Sequence, residues 1–269
     1  MRNVTIGQFF PGDSFLYQLD PRCKLILTIA LIVIVFCVKS FTGFAVIALL
    51  VALCAFSTKI GIGYMLKGLK PLFFIIALTF CLNLFILREG NVIFHAWIFT
   101  ITSGGLRTAV FMAVRLVLLV LCSQLLTLTT SPISLTDGME SLMKPLAKLH
   151  FPAHEISMMM SIALRFIPTL MEETDKIRRA QMARGADFES GNILQRVKAM
   201  IPLLVPLFIS AFRRADDLAM AMEARCYRGG DGRTKMKVLR YSRKDALACA
   251  ALAIVLAAVI VVNSLPMVP

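Results

Sequence analysis

The sequence predicts an all-α, polytopic membrane protein with about five transmembrane helices plus three cytoplasmic helices. Three observations carry this. Of the 269 residues, 58% are hydrophobic, more than the half or so usual in a soluble domain. Five apolar runs approach the length of a bilayer crossing. Charge is segregated: residues 128–244 hold 19 of the 29 basic and 12 of the 16 acidic residues, a local net of +7 out of +13. The chain accordingly divides into 1–127, an N-terminal arm and four spans, then 128–244, a cytoplasmic helical region, and 245–269, a last span.

The arm contains Pro11, Gly12, Asp13 and Asp20 and no apolar signal core, so no cleavable leader is expected. Spans follow at about 24–38, 42–56, 69–87 and 106–127. The first two are short and meet at Lys39-Ser40; a tight hairpin fits better than one tilted helix, because their combined length exceeds one crossing. The last span covers about 246–263. Basic residues favour the cytoplasmic side. Arg2, Arg22 and Lys24, then Lys59, Lys67 and Lys70, then the basic middle put the N-terminus inside, and the C-terminus outside. Arg115 is the one ionised residue well inside a span, and it either meets a partner, snorkels or pairs internally. No Asp or Glu lies inside any span, which argues against ion-coupled transport by the chain alone.

The middle region reads as three helices. The first, about 134–149, has Ser134 and Thr136 as cap candidates and Pro152 beyond it. The second, about 153–184, has apolar residues at helical spacing, then the pairs Glu172–Lys176 and Asp175–Arg179, and Gly185 as its stop. The third, about 191–226, starts apolar at Ile201–Ser210, where Pro202 and Pro206 should bend or break it, and turns charged at Arg213. Gly229, Gly230 and Gly232 mark a turn, and the basic run Arg233–Lys244 leads back to the bilayer, with lipid phosphates its simplest partner. Eleven of the 15 methionines lie between 139 and 236, as gap-fillers of a helical core or as a surface adaptable to several partners.

One pattern occurs twice. Asp175…Ala180…Ala183-Arg184-Gly185 is repeated as Asp216…Ala221…Ala224-Arg225-Cys226, at one offset: 216 − 175 = 225 − 184 = 41. Small alanines permit close approach and a terminal Arg offers a rigid fork of donors, so a partner with two equivalent grooves is expected; helix-dipole preference for Arg is the plainer reading of either residue alone.

Other chemistries find no support. The basic charge lacks the aromatic platform of a nucleic-acid binder, so no nucleic-acid partner is expected. The seven cysteines are scattered, without C-x-x-C, and read as small buried hydrophobes. His150 and His154 are four apart, but Pro152 intervenes and no third ligand is near, so no metal is expected. No phosphate-binding loop of the Gly-x-x-x-x-Gly-Lys-Ser/Thr kind and no catalytic triad is present, so neither a cofactor nor catalysis, ATP hydrolysis included, is expected of this chain.

At these residues the chain resembles the transmembrane (T) component of energy-coupling factor transporters, prokaryotic importers of vitamins and trace nutrients. The likeness covers Leu19-Asp20-Pro21-Arg22, Leu128-Thr-Thr-Ser-Pro132, Ala163–Pro168, Ala180–Phe188, Phe212–Asp216 and Ala221–Gly230. The second copy departs, with Cys226 where the family has glycine, and Gly229 offers a slightly later stop. The resemblance implies two ABC-type ATPase subunits, one gripping Ala183, Arg184 and Gly185, the other Ala224, Arg225 and Cys226, with Asp175, Asp216, Asp20, Pro21 and Arg22 as supporting motif residues. It also implies an exchangeable substrate-binding membrane subunit, ATP bound by the partners only, and a place in the prokaryotic plasma membrane. A self-contained secondary transporter and a membrane enzyme are the rival classes. Uptake without any ATPase, or activity of the purified chain, would identify them.

Overall fold

Asp20 starts the first helix. Its carboxylate accepts the Arg22 N–H at 2.9 Å, and Pro21 occupies the first helical position, where its missing N–H costs nothing. The structure is a computed structural model describing residues 9–58, 61–86, 92–96, 99–145, 151–188, 192–230 and 238–264. Arg2, Lys59, His150, Gly232 and the 233–237 part of the basic run, named above, lie outside these residues.

Helix α1 (Pro21–Cys37) ends at Val38, and α2 (Phe41–Ser57) begins behind Ser40, whose hydroxyl accepts the Gly43 N–H. The two short helices are therefore separate, as expected. Gly43 is needed at that turn, since a Cβ there would lie 2.9 Å from a Val38 methyl. A short α3 (Ile62–Lys67) and a 3₁₀ turn (Lys70–Leu72) lead into α4 (Phe73–Ile86). A small antiparallel hairpin, β1 (Val92–Ala96) with β2 (Phe99–Thr102), precedes the long α5 (Ser103–Thr129), an addition to an otherwise helical chain. Then come α6 (Pro132–Met143), α7 (Ala153–Ala183), α8 (Ile193–Ala224) and α9 (Arg243–Ser264).

Four described stretches are long and apolar enough to cross a bilayer: Gly63–Ile86, Ser103–Thr129, Leu194–Ala224 and Arg243–Ser264; Phe41–Ser57 is apolar but shorter. The protein is thus an all-α, multi-pass membrane protein. Leu194–Ala224 qualifies because its first half is so apolar, although the sequence reading places this helix outside the bilayer.

Two expectations are corrected. The cap of α6 is Ser131, whose hydroxyl accepts the Ser134 N–H; Ser134 and Thr136 lie already inside the helix. Pro202 and Pro206 do not break α8, which runs unbroken from Ile193 to Ala224. Pro206 deprives the Pro202 carbonyl of its helical donor, and Gln181 of α7 turns its side-chain amide to that carbonyl at 3.5 Å.

The chain forms two compact units, Met1–Gly138 with Val238–Pro269, and Met139–Lys237. In the first, α1, α2, α5 and α9 share one apolar core, in which Val35, Val38 and Ile47 are fully buried beside Leu118, Cys122 and Val259. Polar clasps close both ends of this bundle. At the α1–α2 turn, Arg115 of α5 donates to the Val38 carbonyl at 2.9 Å and lies over Phe111 at 4.9 Å. Asn263 of α9 accepts the Lys39 N–H and donates to the Cys37 carbonyl. Arg115 therefore pairs internally, because the carbonyls at the end of α1 have no helical donor.

At the opposite end, the buried Asp245 carboxylate accepts the Asp20 N–H at 2.8 Å and the Ser242 N–H at 2.7 Å. Lys24 donates to the Thr129 carbonyl at 3.0 Å, and Lys244 pairs with Gln18. Asp245 stands in the first turn of α9, one residue earlier than the span expected from sequence.

Candidate functional site

The two repeated motifs end α7 and α8 in the same way. On α7, Arg184 is the last cap residue and Gly185 takes a left-handed conformation, φ +87°. The Gly185 N–H bonds the Met182 carbonyl and the Ala186 N–H the Gln181 carbonyl, each at 3.0 Å. This six-to-one, five-to-two pair of bonds satisfies carbonyls that a helix end otherwise leaves open. On α8, Arg225 is the cap residue and Cys226 takes φ +53°. The Cys226 N–H bonds Glu223 at 2.8 Å and the Tyr227 N–H bonds Met222 at 3.0 Å. Every participant is displaced by the same 41 residues, so the repeat in sequence is a repeat in backbone geometry. The later stop expected at Gly229 is not used: the helix ends at Ala224, and Cys226 adopts the glycine conformation itself, though an L residue there is strained.

Ala183, Arg184, Gly185, Ala224, Arg225 and Cys226 are all exposed. Asp175 and Asp216 are exposed too and form no ion pair with either motif arginine among the described residues. Arg179 donates to the main-chain carbonyl of Asp175 rather than to its carboxylate.

One pair was not read from the sequence. Arg214 of α8 donates to Glu173 of α7 at 2.8 Å, and 214 − 173 is again 41. Equivalent positions of the two copies therefore meet each other. Gln181 meets Pro202 on the other side of that contact, so the helices pass in opposite senses. Ala183 lies 10 residues beyond Glu173, and Ala224 lies 10 residues beyond Arg214. At 1.5 Å per residue, each motif end stands about 15 Å from the crossing, in opposite directions along its own helix. The repeat offset, applied to the charged residues next to each motif, is the signal that would have revealed the pair.

Both helices also carry exposed apolar residues. On α8, Val197, Ile201, Leu204, Val205, Phe208 and Phe212 are all exposed, as are Met159 and Met171 on α7 and Met200 and Met220 on α8. These methionines do not fill a core, which favours the adaptable-surface reading of the methionine bias.

Asp20, Pro21 and Arg22, by contrast, belong to the clasp of the bundle. Asp20 caps α1 and is held by Asp245. Gly138 of α6 seats on Pro21, where a Cβ would approach to 3.1 Å. Arg22 lies over the Tyr241 ring at 5.6 Å.

A polytopic helical bundle, joined in sequence to a helical hairpin with two equivalent exposed ends, defines the class: an all-α, multi-pass membrane protein. Comparison with known proteins gives the family. Residues 12–236 match the CbiQ family model, described as a cobalt transport protein. The chain is 57% identical to the energy-coupling factor transporter transmembrane protein EcfT of Thermosediminibacter oceani, over 91% of this chain and 92% of that one. It is 54% identical to the protein of that name from Clostridium kluyveri, over 92% of both chains. With the one from Bacillus subtilis it shares 50%, over 97% of this chain and 98% of that one. The chain belongs to this family, the transmembrane components of energy-coupling factor transporters.

Proposed function

We propose that this chain is the non-catalytic coupling subunit of an ATP-driven importer of a vitamin or micronutrient, held in a prokaryotic plasma membrane with its N-terminus in the cytoplasm. Two ABC-type ATPase subunits bind and hydrolyse ATP; the chain itself carries no cofactor. One ATPase grips Ala183, Arg184 and Gly185, and the other grips Ala224, Arg225 and Cys226. An exchangeable substrate-binding membrane subunit docks on the apolar, methionine-rich faces of α7 and α8.

The observation that carries this reading is the duplicated helix end: two arginines on identical backbone caps, about 15 Å to either side of a contact between equivalent residues Glu173 and Arg214. Two identical ends suit two copies of one groove, which a dimer of ATPases supplies. When ATP closes that dimer, the grooves approach and carry the ends with them. Coupling needs the ends to bind the two ATPase states unequally, since a contact equal in both states drives nothing.

The test is charge reversal. Arg184→Glu or Arg225→Glu should abolish assembly with the ATPases or ATP-driven uptake. If the double reversal leaves both uptake and ATPase binding intact, the reading fails.

A further inference from the structure

His154 sits at the centre of a hydrogen-bonded cluster that the motif repeat does not explain. Its Nδ1 lies 3.3 Å from Oε1 of Glu140, a side chain only 8% exposed. The other oxygen of Glu140 accepts the hydroxyl of buried Ser157 at 3.0 Å. An ionised carboxylate only accepts, so Nδ1 donates to it, and in the neutral ring Nε2 is left to accept. Nε2 lies 3.4 Å from the Tyr227 hydroxyl. The chain after Tyr227 then comes up close against the imidazole: a Cβ on Gly230 would lie 2.7 Å from its Cδ2. Three segments distant in sequence converge there, the end of α6, the start of α7, and residues 227–230.

Tyr227 follows immediately on Arg225 and Cys226, and Gly230 comes three residues later. The Tyr227 N–H is also one of the two bonds that end α8. The same residue thus closes the helix cap with its backbone and reaches His154 with its side chain. We propose that the Glu140–His154–Tyr227 cluster is a latch that fixes the Arg225 helix end, closing the open end of the α7–α8 hairpin, with His154 as a positioning residue. Its role in coupling rests on the proposed ATPase contact; the latch itself does not.

Cys226, exposed and adjacent to Tyr227, reports the latch. In full-length chain reconstituted in vesicles, the rate of maleimide modification at Cys226, mapped by peptide mass spectrometry, is compared between parent, His154→Ala, Tyr227→Phe and the double variant. Each single variant should raise the rate severalfold, and the double variant no further. Tyr227→Phe removes one hydroxyl and keeps the fold even if His154→Ala does not. An unchanged rate in Tyr227→Phe, or effects that multiply independently, overturns the latch. In the assembled transporter, photo-crosslinkers at 185 and 226 are then compared. Tyr227→Phe should cut the ATPase crosslink at 226 severalfold and spare that at 185. Equal loss at both positions would mark the cluster as a general stabiliser and overturn the positioning role. A parent with no ATPase crosslink at either position would sink the proposed function, while the Cys226 rates would still judge the latch.

Discussion

Cys226 holds a backbone conformation that glycine adopts freely and that costs an L residue about 1 kcal/mol. It keeps the geometry because both cap bonds are made, at 2.8 and 3.0 Å. Cys226→Gly should therefore slow amide exchange at residues 224–227 by about fivefold, the equivalent of about 1 kcal/mol; faster exchange would mean that the cysteine side chain itself contributes packing. Arg115 is a second residue whose surroundings decide its meaning. Its guanidinium satisfies the Val38 carbonyl and stacks on Phe111. Arg115→Met keeps the length of the side chain but leaves that carbonyl open inside the bundle. It should cost about 1–3 kcal/mol and lower the thermal midpoint of the detergent-solubilised chain. An unchanged midpoint would show that water reaches the turn.

The helices of the bundle are short or polar at their ends, and their termini are tied by side chains from other helices. α1 has 17 residues, as does α2, fewer than the roughly 20 of a comfortable crossing. Short helices suit a bundle whose clasps bind its backbone at both ends, since unpaired backbone groups in lipid are costly. Asp245 illustrates this: one carboxylate serves two N–H groups, one at the cap of α1 and one before α9. Asp245→Ala should strand both donors, cost about 1–3 kcal/mol for each, and release α9 first, visible as protease cleavage ahead of Arg243. Asp245→Asn keeps one acceptor and should be milder. α8 makes the complementary point. Propensity alone argues against a continuous helix through Pro202 and Pro206, yet packing against α7 holds it together and Gln181 replaces one missing donor.

Across the whole molecule, the 41-residue offset joins sequence, cap geometry and the Glu173–Arg214 contact. In the proposed coupling, two ends held by paired grooves must keep their spacing. Four alanines inserted after Arg214 would carry the Arg225 end about 6 Å further along its helix and rotate it by about one turn. ATP-driven uptake should be lost. The same four residues inserted in the connection between 186 and 192 leave both helices and their crossing unchanged and should be tolerated. Equal tolerance of the two insertions would remove the spacing as a functional requirement.

Much of this molecule was legible in its residues. Apolar length set the membrane class, because a bilayer core demands continuous hydrophobic helix. Local pattern placed the helix stop at Gly185, because a cap is made between residues no more than five apart. The repeat of Ala-Arg pointed to the paired ends before any coordinates did. Pairings across long separations were not legible: Arg115 with Val38, Asp20 with Asp245, Tyr227 with His154, and Glu173 with Arg214. Periodicity carries no information on which distant donor meets which acceptor. That choice is made only when helices pack and each buried polar group must find its partner. The continuity of α8 was settled there as well, where packing outweighs the preference of a single residue.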